Sequence, residues 1–211
     1  MRGIFFGSST RVAEIVNRSI RLDLIVIENN NFSKEIFDFS HYIGAELKVA
    51  DNVDEIRDIS SSTEIGVSYG FGLIFTQTVI NCFKSGILNI HTGDLPEYRS
   101  RHPISWAMIK GESRIGVTIH LVDEKIDCGF LVHKFYVDRS CYDDLISLEE
   151  KIENALNSQF PIALEQLKKG ELEKLGKGNY YPRIDQTFNQ VDPNEMTSKE
   201  VFSLFMSQKI Y

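Results

Sequence analysis

Between Gly3 and Ile90, short apolar runs alternate with segments of helical period, and no other feature limits the fold of this chain so strongly. Residues 3–7, 22–27, 46–50, 65–69 and 87–90 read as strands. Between them, 11–19 carries Val12, Ile15 and Val16 at helical spacing behind an N-cap in Ser8–Thr10, and 33–43 is a helix capped by Ser33. Residues 52–59 and 76–83 read as further helices. Such alternation with short connections predicts an α/β fold: a mostly parallel sheet with helices on both faces. Ligands of these sheets bind beyond the carboxyl ends of the strands. Asn89 and His91 fall at one such end, and Gly70-Phe71-Gly72 at another. Gly7-Ser8-Ser9 lacks the spacing of a dinucleotide-binding turn, so no NAD site is predicted, and Glu28 reads as a surface charge.

Downstream, Pro103 opens a helix over 103–110. Residues 115–122 read as a strand with Val117, Ile119 and Leu121 on one side and Thr118 and His120 on the other; 130–137 reads as its neighbour. An acidic loop, 123–129, joins the two. The longest helix is predicted over 143–170, with Leu145, Leu148, Ile152, Leu156, Leu164 and Leu167 as a core-facing stripe. The segment 176–194 is rich in Gly, Tyr, Asn, Asp and Pro and reads as a loop, followed by a terminal helix over 197–208. The expected division is a catalytic domain over 1–175 and an extension over 176–211.

A net charge of −7 argues against broad binding to nucleic acid or anionic membranes. No run approaches the roughly 18 apolar residues of a membrane span. The N-terminus does not read as a secretory signal. Cys82, Cys128 and Cys141 share no metal-ligand spacing, so neither a disulfide framework nor a metal site is predicted and the cytoplasm is the expected compartment.

Side chains two apart in an extended segment share a face, so Asn89 and His91 project together. With the carboxylate of Asp127 delivered beside them, they would suit acyl transfer to an amine. That reaction passes through an oxyanion, and donors aimed at it contribute roughly 2.7–4 kcal/mol each. A neighbouring carboxylate favours the charged imidazolium and can accept the proton of the attacking amine. Taken alone, the spacing more often describes a histidine hydrogen-bonded at a strand end. Cys128 reads as a small turn residue, Trp106 as core, and His120 as hydrogen-bonded structure.

The surrounding segments are more specific. Asn89-Ile90-His91, then Leu95-Pro96-Glu97-Tyr98-Arg99-Ser100, Pro103-Ile104-Ser105-Trp106-Ala107, Gly116-Val117-Thr118-Ile119-His120 and Asp127-Cys128-Gly129 follow in order. This series resembles the signature of the formyltetrahydrofolate-dependent formyltransferases. The resemblance implies a Rossmann-like formyltransferase fold, 10-formyltetrahydrofolate as co-substrate, and Asn89, His91 and Asp127 as the catalytic group. It further implies that Leu73, Ile74 and Phe75 receive the pterin edge, that the loop from Asp123 through Ile126 to Asp127 closes over it, and that Arg101 contacts folate or acceptor. Ser100 replaces the family's usual Gly, and a backbone with φ > 0 there would be strained.

Within the family, the Arg101-His102-Pro103-Ile104 form looks most similar to that of nucleotide-linked amino-sugar N-formyltransferases. This implies a dTDP- or GDP-linked deoxyamino sugar, such as dTDP-4-amino-4,6-dideoxyglucose, as acceptor for surface polysaccharide (O-antigen) biosynthesis. Methionyl-tRNA formyltransferases carry a further tRNA-binding barrel, for which this sequence leaves no room. Arg101 and His102 could reach a diphosphate or form a solvated loop. Tyr180, Tyr181 and Arg183 could hold the nucleotide or pack on the domain. A homodimer is plausible. A glycinamide ribonucleotide-type formyltransferase and a non-catalytic folate-binding module are the alternatives.

Overall fold

A computed structural model describes residues 1–56, 63–184, 197, 201–202 and 206–207. Eight strands form one sheet in the order β3-β2-β1-β4-β5-β6-β7-β8. The first five, β1 (Arg2–Phe6), β2 (Arg21–Glu28), β3 (Glu46–Ala50), β4 (Ile65–Tyr69) and β5 (Ile87–His91), pair in parallel. β6 (Arg114–Leu121), β7 (Phe130–Asp138) and β8 (Glu173–Lys174) then add antiparallel. The strands sit close to where the apolar runs placed them, because buried parallel strands need those runs.

The helices follow their caps. In α1 (Thr10–Asn17) the side chain of Ser9 accepts from the Val12 N–H, and Val12, Ala13, Ile15 and Val16 face the core. Ser33 caps α2 (Lys34–Ile43) in the same way, and Gly44 ends it in the left-handed conformation. α5 (Leu145–Lys169) starts from a reciprocal box in which Asp144 and Ser147 each satisfy the other's backbone N–H. Leu148, Ile152, Leu156, Phe160 and Leu164 of α5 are buried; Leu145 and Leu167 pack at the margin. α4 (Pro103–Ile109) begins on its proline.

The two faces of the sheet are covered unequally. α1, α4 and α5 contribute to the larger core. On the opposite face the helix expected over 76–83 shrinks to one turn, α3 (Gln77–Ile80). Beyond it the Cys82 and Phe83 amides reach back only three residues, to Val79 and Ile80, as the chain tightens to enter β5. Likewise the helix expected over 52–59 is a 3₁₀ turn at Val53–Ile56, its remainder lying outside the described residues. Phe6, Phe75 and Phe83 compensate, with Phe6 meeting the other two rings edge-on at 4.9 and 6.0 Å.

Most of the predicted terminal helix over 197–208 also lies outside the described residues. Within it, Val201 N–H donates to Thr197 O at 3.0 Å, and Ser105 of α4 donates to Ser207 O at 2.8 Å. Among the described residues no helix is long and apolar enough to cross a membrane.

Phe160 is fully buried in the larger core. Truncation to Ala leaves a ring-sized cavity, so Phe160→Ala should lower the unfolding free energy by about 3–5 kcal/mol, read from urea denaturation curves.

Candidate active site

The parallel and antiparallel halves of the sheet meet at β5. Its partner β6 places His120 directly across from Asn89, and Thr118 across from His91. Directly opposed residues share a face, so Asn89, His91 and His120 project together. Ile87 and Val122, on that face, belong to the core around α3, which fixes the side on which the cluster lies.

Asp127 arrives by an indirect path. The chain leaves β6 beside the entry of β5, where Val122 N–H donates to Ile87 O at 2.8 Å. The loop then folds back over the sheet face and returns at Phe130 opposite Leu121. Asp127 has φ 54°, the only non-glycine residue with positive φ among those described. Aspartate tolerates that conformation better than most residues. The carboxylate Oδ1 lies 3.6 Å from His91 Nδ1 and 3.7 Å from His120 Nε2.

The hydrogen bonds define which edges face the cleft. His91 Nε2–H donates to the Tyr98 carbonyl at 2.9 Å, leaving Nδ1 toward Asp127. His120 Nδ1–H donates to its neighbour Leu121 O at 3.0 Å, so its Nε2 accepts from the Asn89 amide at 3.2 Å. His120 was read from sequence as hydrogen-bonded structure; it is that, and it also orients the Asn89 amide and faces Asp127.

Burial pushes the His91 pKa below its ordinary value, and the opposing pull of Asp127 and the Tyr98 carbonyl does not restore it. The expected standing imidazolium is therefore not the resting state of His91, because desolvation outweighs one carboxylate at 3.6 Å. Burial also disfavours ionisation of Asp127, but His120, His91 and Arg99 more than offset it and hold the carboxyl below its usual range. The site at neutral pH pairs an ionised Asp127 with an imidazole able to take a proton.

These groups line a cleft of about 860 Å³. Leu73, Ile74 and Phe75 form part of its wall, with Ile74 63% exposed and Phe75 turned into the smaller core. Asp123 and Ile126 line it from the folded-back loop. Asp123 is held by Lys174 at 2.9 Å, which depresses its pKa. Arg101, His102 and Tyr180 also border the cleft. Arg101 and Glu28 crowd Gly72, where a Cβ would stand 2.8 Å from Arg101 Nη2 and 3.0 Å from Glu28 Oε2, so a side chain there would displace the end of one of these two groups.

Four further residues take defined places. Glu28 is no free surface charge: its carboxylate accepts the Gly72 N–H at 2.7 Å on the cleft wall. Tyr181 is outside the wall, its ring packed on Tyr98 and Trp106 at centroid distances of 5.4 and 5.0 Å, so packing on the domain describes it. Arg183 is outside the wall as well; its charge and that of Arg101 add to burial in lowering the pKa of His102. Ser100 does not adopt positive φ; it is buried, and its hydroxyl accepts the His102 N–H at 3.0 Å, which removes the expected strain. Glu149 and Glu153 of α5 also reach the cleft, and Ser9 donates to Glu153 at 2.7 Å. The polar face of a long helix carried no sequence signal for that role.

The sequence model of the formyl transferase family matches residues 9–164. The chain belongs to this family. A methionyl-tRNA formyltransferase of Fusobacterium nucleatum is 28% identical over 154 residues, covering 72% of this chain and 49% of that protein. The chain thus spans about half the length of the curated relative. Among solved structures, a 4-N formyltransferase from Francisella tularensis aligns with TM-score 0.76 at 19% identity, covering 98% of this chain and 87% of the other. The N-formyltransferase of Helicobacter canadensis, solved with folinic acid and dTDP-3-aminofucose, aligns with TM-score 0.75 at 17% identity, covering 98% and 80%. At these identities the structures establish the fold.

The depressed His91 pKa has a defined sign. The unfolded chain binds the proton more readily, so this group's contribution to stability is present above about pH 6.5 and is lost as pH falls from there toward the folded pKa. In ¹H–¹⁵N NMR titration, the His91 imidazole should titrate below that value and lower still in Asp127→Asn, which removes the opposing carboxylate. A higher value in the variant would contradict the geometry.

Proposed function

We propose that this chain transfers a formyl group from 10-formyltetrahydrofolate to the amine of a nucleotide-linked deoxyamino sugar. The observation that carries the reading is the convergence of Asn89, His91 and Asp127 on one cleft. The pterin lies along the strip from Leu73 to Phe75, under the loop that holds Asp123 and Ile126. The acceptor approaches past Arg101, His102 and Tyr180, whose cation, imidazole and exposed ring suit a diphosphate and a base.

The neutral amine attacks the formyl carbon, forming a C–N bond and a tetrahedral oxyanion. The Asn89 amide faces this oxygen, and the His91 Nδ1 edge joins it once protonated. The oxyanion adds a second negative neighbour to that imidazole, which favours protonation at the moment of reaction. Asp127 takes the proton of the attacking amine, directly or through water. Collapse of the intermediate breaks the bond to N10 of the folate, which takes up the amine proton held by Asp127, directly or through water, and so restores the carboxylate.

Two features favour a small acceptor. The net charge of −7 opposes a polyanionic nucleic acid. Further, the cleft wall offers one guanidinium and one imidazole at its acceptor side, enough for a diphosphate but not for an extended phosphate backbone. The test is to incubate the protein with the formyl donor and a panel of dTDP- and GDP-linked 3- and 4-amino sugars, glycinamide ribonucleotide and methionyl-tRNA, and to look for a formyl mass gain. Gain on a nucleotide sugar is expected; gain only on another acceptor, or folate binding with no transfer, would overturn the assignment.

With the acceptor in hand, Asn89→Ala should reduce kcat about 10²–10³-fold, as loss of one oxyanion donor does elsewhere. Asp127→Asn and His91→Ala should each reduce it by about 10²–10⁴-fold. Circular dichroism of all three should match that of the unsubstituted protein.

A further inference from the structure

Asp127 is the catalytic candidate in the least favourable backbone conformation, with φ 54°. A non-glycine residue persists there only where its surroundings dictate it. The group that meets its backbone is Arg99, outside the predicted site and eight residues beyond His91 in the sequence. Arg99 Nε donates to the Asp127 carbonyl at 3.0 Å, and Nη2 donates to the Gly176 carbonyl at 2.7 Å.

Arg99 is itself fixed. Its N–H donates to Asn179 O at 3.2 Å, and its carbonyl accepts from Tyr181 N–H at 2.8 Å, forming a parallel bridge opposite Tyr180. The strap that makes this bridge, residues 175–184, also grips the neighbouring loops. Leu175 N–H donates to Gly129 O at 2.9 Å, Trp106 Nε1–H to Pro182 O at 2.8 Å, and Ile184 N–H to His102 Nδ1 at 3.1 Å. Gly178 lies so close to the loop after β5 that a Cβ there would stand 2.0 Å from Pro96 O. The strap is thus built onto both chain segments that carry the reacting groups.

We propose that Arg99 is a positioning residue for the catalytic carboxylate: its guanidinium, braced by the strap 175–184, holds the Asp127 backbone in the left-handed conformation that aims the side chain at His91. The inference rests on the formyl-transfer reading for the task of Asp127, but not for the geometry. Arginine suits the role because its planar fork reaches two carbonyls at once, whereas a lysine ammonium acts as a point charge. The titratable and charged groups that face Asp127 are His91 from β5, His120 from β6 and Arg99 from the loop between β5 and α4. Arg99 therefore acts on Asp127 twice, by charge and by hydrogen bond, and the two actions can be separated.

The test uses Arg99→Met and Arg99→Lys in the full chain, with thermal unfolding to verify folding. The Asp127 carboxyl is followed by ¹³C NMR titration, assigned with Asp127→Asn, and kcat and KM are measured in parallel. In Arg99→Met the carboxyl should titrate at higher pH, and kcat should fall about a hundredfold while KM for the formyl donor changes little. Arg99→Lys should restore the titration toward its original value yet leave kcat low, because one ammonium cannot replace the fork. Folded variants whose Asp127 titration and kcat are unchanged would overturn the proposal. So would a loss of kcat with the Asp127 resonances unmoved. If the unsubstituted protein transfers formyl to no acceptor while Arg99→Met still shifts the Asp127 titration, the functional reading fails and the positioning role stands. Should neither Arg99 variant fold, exposed Gly178→Ala forces the strap from Pro96 with Arg99 intact. It should shift the Asp127 resonances and lower kcat; unchanged values would count against the proposal.

Discussion

The site depends on one pairing, the antiparallel register of β6 against β5. It sets Asn89 across from His120 and His91 across from Thr118. Side chains alternate with period two, so a slip of one residue would turn His120 into the core and leave Asn89 without its partner. The same pairing decides how Asp127 reaches the cluster. An antiparallel β6 ends beside the entry of β5, not beside its exit. The connecting loop must therefore cross the face of the sheet, and the cleft lies over that face as well as at the strand ends.

Burial gives these groups their chemical character. His91 and His120 are almost wholly removed from solvent, and desolvation sets the direction of the His91 shift. In the proposed reaction, an imidazole that is neutral at rest and gains its proton beside an oxyanion supplies charge where charge develops. Asp127 is buried too, but three cationic or ionisable partners keep its carboxyl ionised. The cost of placing these groups in a low-dielectric setting is offset only because each is oriented by others: Tyr98 O for His91, Leu121 O for His120, and Arg99 for the Asp127 backbone.

Much of this was legible before any coordinates. Caps at Ser9 and Ser33 marked the starts of α1 and α2 because the first-turn N–H groups need local acceptors. The strand alternation gave the parallel half of the sheet. The helix expected over 76–83 had suitable period, yet the chain tightens after the single turn of α3 to enter β5. Tyr181 and Glu28 needed the tertiary structure for a related reason: an aromatic or a carboxylate has no address until its neighbours are known. Tyr181 met Tyr98 and Trp106, and Glu28 met the Gly72 amide.

The sequence by itself determined the elements, the i, i+2 projection of Asn89 and His91, and the family signature, since these depend on residues near one another in the chain. Only the tertiary structure decided that His120 completes the cluster, that Asp127 crosses the sheet face to reach it, that His91 rests neutral, and that Arg99 joins the loop of Asp127 to the strap. Those facts arise from strand register, from desolvation and from contacts between distant segments, and none of the three is written in local order.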